Sequence, residues 1–194
     1  MLHAVVKPKP RANLSEKRRR LLEIIKERSL LQGQFTLASG ATSNYYLDMK
    51  PTTFDPEGAS LIAEIVCDML LQLRNLDSIG GLELGAVPII SVVCARSWPD
   101  FPIRGFVVRK EKKGHGTDKK IDGNFRDNDN VVLFDDVTTK GGSVLQAVKA
   151  VRERGATVKK IITIVDRLEG ASENLQKEGI NLLHIFTADD LTAA

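Results

Sequence analysis

The stretch that most limits what this chain can become is VVLFDDVTTKGGSVLQAV, residues 131–148. Val131 to Phe134 are uniformly apolar, the pattern of a short strand buried on both faces of a parallel sheet. Two carboxylates follow at once, Asp135 and Asp136, and then small and hydroxyl residues, Thr138, Thr139, Gly141, Gly142 and Ser143. Val144, Val148 and Val151 then recur on one face of a helix. A strand that ends in acid, loop and helix start presents its loop at the carboxyl edge of a parallel sheet, where open α/β folds bind ligands. Glycines let backbone approach a ligand, and the first helical amides, free of internal partners at the positive end of the dipole, favour a phosphate. Thr138, Thr139 and Ser143 add hydroxyl donors, and two acids suit a pair of sugar hydroxyls or a hard cation with its waters.

Two better-known phosphate loops are excluded. A Walker A loop needs Gly-Lys followed by Ser or Thr, and Lys140 precedes its glycines; no G-x-G-x-x-G opens a helix. An ordinary strand-to-helix turn with solvated acids is the simpler alternative, but two acids, three hydroxyls and two glycines crowd into residues 135–143. DDVTTKGGS resembles the phosphoribosyl diphosphate signature of type I phosphoribosyltransferases, which names a superfamily and leaves the acceptor base open.

The chain has 194 residues, enough for one well-buried domain and short for two, so 1–194 is expected to be a single domain. A net charge of +3, with bases and acids interspersed, gives little reason to expect nucleic acid as a partner. No apolar run is as long as a membrane span, and the N-terminus lacks a signal-peptide core, so the expected setting is the cytoplasm, without a membrane. Cys67 and Cys94 lie in helical patterns and read as small buried hydrophobes.

Residues 1–12, with two prolines and several bases, are expected to be a loose arm. A helix follows, capped by Asn13 with Glu16, apolar along Leu14, Leu21, Leu22 and Ile25, with KRRR at 17–20 as its solvated side. Gly33 is expected to break it. Residues 33–50 then read as a β-hairpin: Phe35 and Leu37 alternate, Ser39-Gly40 turns, and Tyr45 to Leu47 begin a second strand. Asp55-Pro56 opens a helix with a stripe of Ile62, Ile65, Val66, Met69, Leu70 and Leu73. Residues 78–93 read as strand, glycine-rich turn and helix, and 103–109 as a strand. KEKKGHGTDKKIDG, 110–123, reads as a loop, mobile and functional or an insert. Gly155 ends the helix after the central motif. Ile161 to Val165 form a buried strand with Asp166 and Arg167 at its carboxyl end. A helix near 171–178 and a strand at 181–187 close the chain, with His184 expected as a packed core residue. The strand–helix alternation gives an α/β fold, a mostly parallel sheet flanked by helices, with a small N-terminal β hood.

Three further patterns narrow the resemblance. F-T-L-x-S-G-x-x-S-x-Y-Y at 35–46 is similar to the hood of orotate phosphoribosyltransferases; R-K-x-x-K-x-H-G at 109–116 resembles their catalytic loop; V-D-R-x-E at 165–169 resembles their base-binding turn. The likeness covers nearly all of the chain from about residue 30. It implies transfer of the phosphoribosyl group of 5-phospho-α-D-ribose 1-diphosphate to orotate, giving orotidine 5′-monophosphate and diphosphate in pyrimidine synthesis, by a homodimer whose loops reach into each other's sites. Lys113, His115 and Asp136 are the implied catalytic residues. The donor is implied to contact Arg109, Lys110, Lys113 and His115 on the loop, and Asp135, Asp136, Val137, Thr138, Thr139, Lys140, Gly141, Gly142 and Ser143 in the central motif. Thr139 and Arg167 are implied to hold orotate. The implied cofactor is Mg2+, held mainly by the diphosphate, with Asp135 the one side chain considered for it. The turn at Leu84-Gly85 would lie beneath the diphosphate. Some relatives carry lysines where this chain has Ala38 and near Gly85, so those contacts do not transfer. The alternatives are a phosphoribosyltransferase for another base and a non-catalytic regulator that binds the same sugar phosphate.

Overall fold

The computed structural model describes residues 13–36, 42–111 and 120–193. Helix α1, Leu14–Arg28, starts in a capping box: the Asn13 side chain accepts from the Glu16 amide at 2.9 Å, and Glu16 accepts from the Asn13 amide at 3.0 Å. It buries Leu21, Ile24 and Ile25, while Leu14, expected on that face, is 46% exposed. The KRRR run is a docking device more than a solvated side. Lys17 pairs with Glu64 at 2.8 Å and Arg20 with Glu57 at 2.7 Å, while Arg18 donates to the Ile185 carbonyl and stacks 5.4 Å from the Phe186 ring. Long basic side chains of this kind cover apolar surface with their stems and bond with their heads.

The helix ends at Arg28, earlier than Gly33. Ser29 caps it, and its hydroxyl shares a buried 2.7 Å hydrogen bond with Thr52. Strand β1, Leu30–Thr36, pairs antiparallel with β2, Thr42–Leu47, so the hairpin begins three residues before the expected 33–50. Gly33 lies inside β1 at φ 149°, where the register slips between Gln32 and Phe35. It serves a bulge and not a helix stop. A short helix α2, Lys50–Thr53, leads to α3, Pro56–Leu70, where Asp55 caps the amides of Glu57 and Gly58 at 3.0 and 2.8 Å.

The main sheet is built from β3 (Ser78–Gly81), β4 (Arg104–Val108), β5 (Ile121–Gly123), β6 (Asn130–Thr138), β7 (Thr157–Asp166) and β8 (Leu182–Thr187). Its order is β5-β4-β3-β6-β7-β8, parallel throughout except for β5 against β4. Helices α4 (Ala86–Ser97), α5 (Gly142–Arg152), α6 (Ala171–Lys177) and α7 (Ala188–Thr192) complete the chain. Residues 121–123, assigned by sequence to the 110–123 loop, form a strand because Val108 and Ile121 pair across it.

Alternation along β6 divides the core. Val132 and Phe134 pack with Leu21, Ile62 and Ile89 on the face covered by α1, α3 and α4. Val131 and Leu133 pack with Val144, Val148 and Leu175 on the face covered by α5 and α6. Cys67 is buried within the first cluster, and burial pushes its thiol up to about 11. His184 departs from expectation. It is exposed, on β8, which ends the sheet among the described residues. At the amino edge, Asp129 is buried and gathers Ser78 (2.8 Å), Arg104 (2.8 Å) and the Arg126 amide (3.1 Å). Among the described residues no helix is long and apolar enough to cross a membrane.

Candidate active site

The chain leaves β3 to build β4 and β5 on one side, then returns to build β6 on the other. The strand order therefore reverses between β3 and β6, and the crevice outside their carboxyl ends is where such sheets take ligands. The glycine-rich turn after β3 and the acid–hydroxyl loop after β6 meet there.

Strand β6 does not stop at Phe134. Pairing with β7 continues through Asp135↔Thr163, Val137↔Val165 and Thr138↔Asp166, so both aspartates stand on the strand and not in the loop. Successive strand residues face opposite ways, and the two carboxylates diverge accordingly. Asp135 accepts from the Thr138 hydroxyl at 3.2 Å and feels Lys110. Burial, and then the charge of Asp136, push its carboxyl up to about 7. Asp136 accepts from the Val137 amide at 2.9 Å and lies against the turn after β3, where a Cβ on Gly85 would overlap its carboxylate. Burial raises its pKa too, with Lys50 pulling the other way. Lys50 sits 2.6 Å from Asp48, which together with Asp136 holds its ammonium charged.

The loop after β6 keeps Thr138 buried and exposes Thr139, Lys140, Gly142 and Ser143. Gly141 has φ 81°, which glycine alone adopts freely, and this bend sets the start of α5 at Gly142. The Lys140 carbonyl accepts from Asn174 at 3.0 Å, tying the loop to α6. The first-turn amides of α5 have no intrahelical carbonyls to bond and face the carboxyl edge.

Arg167 follows β7 on the same edge. Its amide donates to the Thr138 carbonyl at 2.9 Å, which stitches the two loops together. Its side chain is only 8% exposed. The guanidinium carbon lies 4.7 Å from the centre of the Tyr45 ring, and Nη2 donates to Ser43 at a long 3.4 Å. Nε is 2.8 Å from Glu169 Oε1, out of line for a hydrogen bond, and has no hydrogen-bond partner among the described residues. A cation buried to this degree with an unsatisfied N–H is poised for an anionic ligand.

The basic loop is described only at its ends. Arg109 pairs with Asp122 across the β4–β5 hairpin, and the Lys110 amide donates to Glu83 at 2.8 Å. Lys113 and His115 lie outside the described residues, as does Ala38. Sequence reasoning passed over Tyr45 as a partner of Arg167, and over Lys50 and Glu169. The signal for Glu169 was its place in V-D-R-x-E. Tyr45 stood in the hood motif, but nothing there marked it as the neighbour of Arg167; Lys50 lies two residues from Asp48, but its approach to Asp136 is long-range and had no signal. Among the described residues no group of three or more His, Cys, Asp or Glu is arranged to hold a metal.

No family model matches the chain. An orotate phosphoribosyltransferase from Methanocaldococcus jannaschii is 43% identical over 178 residues, covering 91% of this chain and 97% of that protein. The solved orotate phosphoribosyltransferase of Mycobacterium tuberculosis H37Rv, in complex with Fe(III) dicitrate, matches with a TM-score of 0.81 at 33% identity, covering 91% of this chain and 99% of that one. The same enzyme in complex with 5-phospho-alpha-D-ribosyl 1-diphosphate matches with a TM-score of 0.76 at 31% identity, covering 90% and 98%. Likeness of this extent, in a chain whose acids, hydroxyl loop and buried arginine share one sheet edge, leads to one conclusion: the chain belongs to the orotate phosphoribosyltransferase family.

Proposed function

We propose that the chain moves the 5-phosphoribosyl group of 5-phospho-α-D-ribose 1-diphosphate onto a ring nitrogen of orotate, releasing diphosphate and forming orotidine 5′-monophosphate. The observation that carries the acceptor assignment is Arg167, a buried guanidinium with an unsatisfied N–H beside the hood. A planar, permanently charged fork suits the carboxylate of a flat ring, whereas neutral purines and uracil offer it hydrogen-bond acceptors but no charge to offset its burial. Thr139, exposed next to it on the stitched loop, offers the base a hydroxyl.

The donor lies along the crevice. Backbone and hydroxyls of Thr138 to Ser143, including the amides at the start of α5, hold the 5′-phosphate, and Val137 and Lys140 contribute backbone. Asp135 and Asp136 hold the ribose hydroxyls from two sides, and Asp136 also stabilises positive character at the anomeric carbon as the diphosphate departs. Mg2+ fits this donor set as an ion held mainly by the diphosphate, with Asp135, a hard oxygen ligand whose ionisation burial opposes, as its one side-chain partner. When bound, the ion neutralises charge on the leaving group. Arg109, Lys110, Lys113 and His115, on a loop lent by the neighbouring subunit of a homodimer, add cations around the same oxygens. Closure of that loop keeps water from the activated ribose. The setting is the cytoplasm.

The test is diphosphate release with orotate set beside adenine, guanine, xanthine and uracil, with and without Mg2+. Turnover with orotate alone, and only with the metal, is expected. Preference for another base would overturn the role given to Arg167.

A further inference from the structure

We propose that Tyr45 is a positioning residue for acceptor recognition: its ring face fixes the plane of the Arg167 guanidinium, so that hood and sheet edge read the base as one unit. This rests on the reading of the site as one for orotate. Bidentate recognition of a carboxylate requires a fork whose plane is set before the ligand arrives. An arginine side chain left to itself samples many rotamers, so something must hold it. The backbone of Arg167 is anchored by its amide on Thr138, but that fixes only the root of the side chain.

Of the described residues that touch the guanidinium, two hold it weakly. Ser43 accepts at 3.4 Å, near the limit of a hydrogen bond. Glu169 is 2.8 Å from Nε but out of line, so it attracts charge without setting a plane. The Tyr45 ring, 4.7 Å from the guanidinium carbon, is the contact that constrains the plane, and a cation over a ring is stronger where water is thin. Tyr45 stands on β2, in the two-stranded hood, whereas Arg167 follows β7 of the main sheet. The contact therefore spans 122 residues of chain (167 − 45) and joins two separate sheets. It uses the face of the ring and not the hydroxyl, so phenylalanine should serve as well.

The test measures kcat and KM for both substrates in the wild type, Tyr45→Phe, Tyr45→Leu, and chains with mono- and trifluorinated phenylalanine at position 45. Tyr45→Phe is expected to stay within about twofold of wild type, and Tyr45→Leu to raise KM for orotate about tenfold while KM for the diphosphate donor stays within about twofold. Fluorination withdraws charge from the ring face without changing its shape, so KM for orotate should climb with each added fluorine. An unchanged orotate KM in Tyr45→Leu, a parallel rise in both KM values, or a flat fluorinated series overturns the proposal. Should Tyr45→Leu fail to fold, the fluorinated series decides alone. A wild type that ignores orotate overturns this inference together with the reading beneath it; a wild type that uses orotate with a flat series overturns the positioning role only.

Discussion

Asp135→Asn separates what this fold needs from what its chemistry needs. The native carboxyl titrates near 7 against 3.8 for the ordinary group, because burial and Asp136 oppose its charge. Between those values the folded chain keeps a proton that the unfolded chain has lost, so stability declines as pH rises through that window. Below about pH 4 the group is neutral in both states and contributes nothing. The gap between 3.8 and about 7 corresponds to roughly 4 kcal/mol at about 1.4 kcal/mol per pH unit. Asp135 is half-buried, so water screens part of this, and about 2 kcal/mol is a sounder figure. The amide oxygen of asparagine still accepts from Thr138, so no hydrogen bond need be lost. Urea unfolding should therefore show Asp135→Asn more stable than wild type by ~2 kcal/mol at pH 8 and nearly equal to it at about pH 3.5, with about 5 °C added to Tm at the higher pH. Donor affinity should fall in the same variant. A gain of equal size at both pH values, or a loss at pH 8, would refute the reasoning, since neither follows from a carboxyl held near neutrality.

The remaining predictions concern single contacts. Gly85→Ala puts a methyl into the Asp136 carboxylate and should lower kcat about 10- to 100-fold in steady-state assays, with Tm lowered by a few degrees. Asp129→Ala leaves Arg104 and Ser78 without their shared acceptor and should destabilise by about 3 kcal/mol in urea unfolding, while KM for both substrates stays put. Burial tends to raise the Asp129 carboxyl, but Arg104, Ser78 and the Arg126 amide outweigh it and hold it low, so this contribution fades only as pH falls below about 4. Lys113→Ala and Arg167→Ala should each abolish turnover alone. Mixed together they should recover part of it if loops cross between subunits, and unchanged inactivity of the mixture would count against the shared site.

The alternation of apolar runs with helical stripes was legible because it reports on local burial, and both caps, Asn13 and Asp55, were read from neighbouring residues. What the sequence concealed was long-range. β6 looked four residues long because polarity changes at Asp135, yet ladder hydrogen bonds to β7 carry the strand on to Thr138 whatever the side chains are. KRRR looked like a solvated face because four bases in a row give no hint of Glu57, Glu64 or the Ile185 carbonyl, which lie far along the chain. Adjacent aspartates read as a pair; alternation on a strand sends them to different sides. Arg167 was found from its turn, while the ring that stacks on it was invisible, since nothing local marks Tyr45 as its neighbour.

The clasp made by Asp129 has a wider meaning. It fastens the starts of β3, β4 and β6 at the rim opposite the crevice, so under the proposed placement of the site the work of staying folded and the work of choosing a base fall to different ends of the same strands. Changes to the loops of the chemical rim can then accumulate without loosening the mechanical one. A lineage seeking a new acceptor could explore the turn at Arg167 and the hood freely, provided the opposite rim stayed shut.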